Sequence, residues 1–116
     1  MKVAQGTTRI VFVTKHYAFK IPHLLNGWEL FLHGLLANIQ EKTFSDAKFD
    51  GLCPVKFYIW GGFLVVMPKA RVFTEDDFKE FDFLEFCYRA EYVIPAEYKH
   101  TSFGYWNHRV VAIDYG

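Results

Sequence analysis

Cysteine is scarce. Cys53 and Cys87 are the only two, 34 residues apart and outside any Cys-x-x-Cys spacing. Such a pair in a chain of 116 residues argues against a disulfide framework or a thiolate metal site, and both read as free buried thiols in a reducing compartment. A charge excess is also missing. Lys plus Arg and Asp plus Glu stand at 13 each, so there is no basic footprint and no direct nucleic-acid binding is expected. The five histidines follow no metal spacing. Apolar runs are too short to span a bilayer, and no stretch reads as a signal peptide. No repeat, linker or low-complexity tract interrupts the chain. The expectation is a soluble cytoplasmic protein with a single domain over residues 1–116, large enough for a core without staples.

Aromatics, by contrast, are plentiful. There are 13 Phe, 7 Tyr and 3 Trp, more than a core this small requires, so part of them is expected on a partner-binding surface. Residues 1–8 read as polar and end in Gly6-Thr7-Thr8. Arg9 to Val13 and Tyr17 to Ile21 read as strands around a turn at Thr14-Lys15-His16, with Pro22 stopping the second. The period of two puts Ala18 and Lys20 on one face of that strand. From Asn26 to Phe44 the pattern becomes helical, with Asn26 as N-cap, Glu29 in the first turn and one apolar stripe of Trp28, Leu32, Leu35 and Ile39. Leu52 to Trp60 and Phe63 to Met67 flank Gly61-Gly62, a hairpin signal. Thr74 and Asp77 approach a capping box and open an acidic helix, with Leu84 and Tyr88 continuing its buried side. Residues 97–106 read as loop, and Val110 to Ile113 as a strand that delivers Asp114 into a glycine turn. The fold class expected is α+β, an antiparallel sheet with one long packed helix and a second short one.

Two motifs resemble protein kinases. Tyr17-Ala18-Phe19-Lys20 is similar to the Val-Ala-Ile-Lys strand, and Asp114-Tyr115-Gly116 to the Asp-Phe-Gly that holds magnesium. The resemblance implies a kinase N-lobe-like fold. In it Ala18 lines an adenine pocket, Lys20 holds the α- and β-phosphates, and a helix glutamate pairs with Lys20. Glu41 is the better candidate for that glutamate and Glu29 the alternative. Val65 to Ala70 matches the last strand and the hinge. Gly6-Thr7-Thr8 falls at the end of the glycine-rich loop, with one Gly left and no preceding strand expected. Ser102-Phe103-Gly104 is similar to the Asn-Phe-Gly of small bacterial and phage kinase-like proteins. That puts Ser102 at the second metal position, with Asp114 as the first, and Glu97 at the catalytic base. Ser is a poor metal ligand and Glu a departure from the usual Asp, and the family's large helical lobe has no counterpart in these residues.

Loss of these parts implies a catalytically degenerate protein, pseudokinase-like, with no cofactor and a protein as partner. The acidic run Glu75, Asp76, Asp77 and Glu80 is the candidate docking face for a host enzyme or a nucleic-acid-binding complex, with Trp60 and Trp106 as aromatic anchors. Similarity in size and look to bacteriophage accessory proteins implies an inhibitor, for instance of a CRISPR defence system. The alternative is a phosphotransferase that holds ATP and magnesium through Lys20 and Asp114.

Overall fold

A computed structural model of the chain describes residues 2–48, 51–90 and 96–116. The fold is α+β. Strands β1 (Lys2–Gln5), β2 (Arg9–Val13) and β3 (Tyr17–Pro22) form an antiparallel meander, and helix α1 (Trp28–Asp46) follows. Strands β4 (Phe57–Ile59) and β5 (Leu64–Pro68) then complete a five-stranded sheet of order β1-β2-β3-β5-β4. After β6 (Arg71–Val72) come helices α2 (Glu75–Lys79) and α3 (Phe83–Ala90). The hairpin of β7 (Phe103–Trp106) and β8 (Arg109–Ala112) pairs with β6 in a second sheet, ordered β6-β7-β8. The segment ahead of β4 joins the two parts. Leu52 bridges Ala112 in parallel, and Cys53 N–H donates to Ala112 O at 2.9 Å. No helix among the described residues is long and apolar enough to cross a membrane.

Several elements differ from the sequence reading. A strand does precede Gly6: β1 pairs along its length with β2, and all four of its residues are exposed, which is why no apolar alternation marked it. The stretch read as loop up to Trp106 contains β7. Its turn to β8 rests on Asn107 and His108, both at positive φ (53° and 65°), the geometry of a tight two-residue hairpin. The turn at Gly61-Gly62 spans four residues, because Ile59 pairs with Leu64. Both glycines sit at φ 86°, as a hairpin glycine can, and a Cβ on Gly62 would meet Leu35 O at 2.3 Å. Helix α1 is capped by Gly27 rather than Asn26, whose side-chain amide donates to Thr7 O instead. The acidic helix is two helices. The Thr74–Asp77 capping box is formed, but the helix stops at Lys79 and restarts at Phe83. Leu84 and Tyr88 lie on its exposed side, and Cys87 on its buried one.

The core explains much of the aromatic content. Phe103 is fully buried, and the rings of Phe73, Phe78, Phe81, Phe83 and Phe86 surround it with centroids 4.9–6.2 Å away. Edge and tilted packing of this kind adds to area burial. Val65 and Met67 of the first sheet belong to the same buried cluster. Both cysteines are free and buried, and burial pushes the Cys53 thiol up to about 11.

Candidate functional site

Strand register places two cations side by side. Lys20 lies opposite Val11 and Arg9 opposite Pro22. Residues two apart share a face, so Arg9 and Lys20 emerge diagonally on the same side of the sheet. Helix α1 covers that side with Gly34, Asn38 and Glu41, spaced four and three apart and all buried. This corrects the expectation for the helix: of the apolar stripe, Trp28, Leu32 and Ile39 are exposed, and the polar face goes inward.

Glu41 is the centre. Its carboxylate is wholly buried. Oε1 accepts from Arg9 Nη1 at 2.7 Å and Lys20 Nζ at 3.1 Å. Oε2 accepts from Arg9 Nη2 at 3.2 Å, Lys20 Nζ at 3.1 Å and the backbone N–H of Tyr115 at 3.0 Å. A carboxylate offers about four lone-pair sites, so this one is saturated. Burial alone would raise its pKa, but the charges of Lys20 and Arg9 outweigh it and hold the group below the usual carboxylate range. Arg9 follows the same logic in reverse. Burial would lower its pKa, and Glu41 and Asp114 together push it above the ordinary value.

The remaining bonds close the cluster. Arg9 Nη2 donates to Asp114 Oδ1 at 2.6 Å and Nη1 to Asn38 Oδ1 at 3.0 Å. Lys20 Nζ also donates to Ile113 O. The amide of Asn38 donates to Lys20 O and Gly62 O, tying the helix to β3 and to the β4–β5 turn. Beyond Asp114, the Tyr115 ring is buried and its hydroxyl donates to Cys53 O at 2.6 Å. Two cations and two carboxylates thus cancel within one cluster, and most of their hydrogen-bonding capacity is spent inside it.

Of the residues singled out from sequence, the structure brings together Lys20, Glu41 and Asp114. Arg9 and Asn38 were missed. Ala18 is half-buried in β3 opposite Met67. Glu29 lies away from Lys20, exposed and 3.9 Å from His33. Ser102 is buried, its Oγ has no hydrogen-bond partner among the described residues, and its carbonyl accepts from Ile113 N–H. Glu97 is exposed and paired with Lys99 at 3.0 Å. In the family the strand lysine takes phosphate while still paired with the helix glutamate, and magnesium takes one or two carboxylates together with the phosphates. Here Lys20 is bonded to Glu41 and the Ile113 carbonyl, Asp114 is held by Arg9, and no group of three or more His, Cys, Asp or Glu among the described residues could hold a metal unaided. As arranged, Arg9 competes with a metal for Asp114.

The outer candidates separate too. Glu75, Asp76 and Glu80 are exposed, while Asp77 is committed to the Thr74 cap and to Arg71 at 3.6 Å. Backbone and hydroxyl bonds from Thr74 hold its pKa down. Trp60 is 86% exposed. Trp106 is half-buried under the cations of Lys56 and Arg109. Comparison of the chain with protein-family models, with curated proteins and with solved structures gave no match.

Proposed function

We propose that the protein is a catalytically silent, kinase-like module that acts by binding another protein. The observation that carries this reading is the saturated Glu41, shared by Arg9 and Lys20 and closed off by Asp114 and Tyr115. In the family the strand lysine and helix glutamate must pair for activity, but the lysine then faces phosphate and the aspartate faces magnesium. Here Arg9 lies between glutamate and aspartate, and it does the neutralising that a nucleotide complex would otherwise need. In its finer form the proposal is an inhibitor of a host enzyme or of a nucleic-acid-binding defence complex. The exposed carboxylates of α2 and the exposed Trp60 support a protein partner.

The second reading is a phosphotransferase, favoured by the Lys20–Glu41 pair itself. Thermal unfolding with and without millimolar magnesium-ATP separates the two. A ligand that binds only the native state adds ~2.7 kcal/mol at a hundredfold excess over its dissociation constant. The binding module shows no shift with any nucleotide. A saturable shift that Lys20→Ala and Asp114→Ala both abolish would replace it with the phosphotransferase.

A further inference from the structure

The break between α2 and α3 leaves an open groove of about 510 Å³, lined by Lys79, Glu80, Phe81, Asp82, Phe83, Leu84 and Tyr98. It is a shallow groove open to solvent, suited to a segment laid across it rather than to an enclosed small molecule. Its walls are ordered by ring packing: Tyr98 lies 4.7 Å from Phe78 and 5.4 Å from Phe83, centroid to centroid. Leu84 and Tyr98 nevertheless remain 79% and 65% exposed.

The stretch that carries the groove is acidic, although Lys79 lines it beside Glu80 and Asp82. Residues 75–85 hold six carboxylates against one cation, Lys79, a net charge of −5. Because the whole chain balances at 13 of each sign, everything else carries +5. Not all of this acid is free to meet a partner. Asp77 is spent in its cap, Asp82 accepts from Glu85 N–H at the start of α3, and Glu85 meets Arg89 at 3.5 Å. Glu80 enters no ion pair among the described residues and stands on the groove's edge.

The geometry points to a seat for a basic, hydrophobic segment of a partner protein: an arginine paired with Glu80 and stacked on Tyr98, beside a bulky apolar side chain on Leu84 and Phe83. A guanidinium suits both an aromatic face and a carboxylate, and its weak hydration lowers the cost of entering an apolar groove. A nucleic-acid backbone would be repelled by the same field. This inference rests on the reading of the protein as a binding module and names the chemistry of the partner.

The probes are three fluorescent hexapeptides: alternating Arg and Leu, the same with Glu for Arg, and alternating Lys and Ser. Each is titrated by anisotropy, with amide NMR shifts of the labelled protein as the map. The Arg/Leu peptide binds saturably and moves the amides of Phe81 to Leu84 and Tyr98. Glu80→Arg and Leu84→Ser, both at exposed positions, each weaken it about tenfold or more, a loss of ~1.4 kcal/mol per tenfold. Absence of saturation overturns the seat, as does equal binding by Glu80→Arg, by the Glu peptide or by the Lys/Ser peptide. A magnesium-ATP shift abolished by Lys20→Ala and by Asp114→Ala would overturn the binding-module reading whatever the peptides do. A failed titration without that shift overturns only the groove.

Discussion

The two faces of α1 invert the usual helix. Its inward face is Gly34, Asn38 and Glu41, while Trp28, Leu32 and Leu36 face outward, 72%, 41% and 62% exposed. An apolar inner face can slide and repack at modest cost, because dispersion and area burial are not directional. A buried charged face cannot. Its desolvation cost is offset only while every hydrogen bond is made. The inward face therefore fixes where the helix sits, and the outward face is left free for other uses. Part of it is already an aromatic surface, since Trp28 stacks on Phe31 at 5.4 Å and Phe31 reaches Phe63 at 6.4 Å.

The contrast breaks most visibly at Glu41. Glu41→Ala leaves buried Lys20 without a carboxylate and Arg9 with Asp114 as its remaining one, and should cost about 3–5 kcal/mol, read by urea unfolding. A loss below about 1 kcal/mol would mean that the inward face does not hold the helix. Gly34→Ala comes next. Its Cβ would lie 2.3 Å from Thr8 O and 2.9 Å from Pro22 Cα, both backbone atoms. Overpacking of about 1–3 kcal/mol should exceed the ~1 kcal/mol that alanine gains over glycine in a helix.

Acid titration probes the same face more gently. The folded-state pKa of Glu41 is depressed, so its contribution is complete above the ordinary carboxylate range. It is lost as pH falls through the lowered folded value. The stability gap between the wild type and Glu41→Gln should therefore narrow steadily below about pH 4, near the unfolded glutamate value. A gap that widens on acidification would reverse the assignment. The smallest effect belongs outside: Leu36→Ser should stay within about 0.5 kcal/mol, and a larger loss would show the outward face to be packed after all.

Much of this was legible in the residues, and the failures have physical causes. Strand parity put Ala18 and Lys20 on one face, and helix position selected Glu41 as the partner of Lys20, as found at 3.1 Å. Arg9 was invisible because an arginine at the start of a strand reads as a solvated edge charge. Asn38 was hidden by the apolar-inside rule, which fits most helices and picks the wrong face of this one. The spacing of Gly34, Asn38 and Glu41 was the available signal. The Thr74 cap was readable from side-chain chemistry. The break after Lys79 was not, because Glu80-Phe81-Asp82 contains neither Gly nor Pro.

The Asp114–Tyr115 turn has a consequence for how the chain is made. Arg9 waits for a partner 105 residues away, and Glu41 for one 74 residues away. During synthesis the β1–β3 meander can pair as soon as it emerges, since its contacts are local, and Glu41 follows soon after, but the second carboxylate of the cluster and the N–H that closes Glu41 arrive only with the Asp114–Tyr115 turn. Helix α1 should accordingly settle late. A nascent chain stalled before Ile113 should leave α1 open to protease while β2 and β3 are already protected.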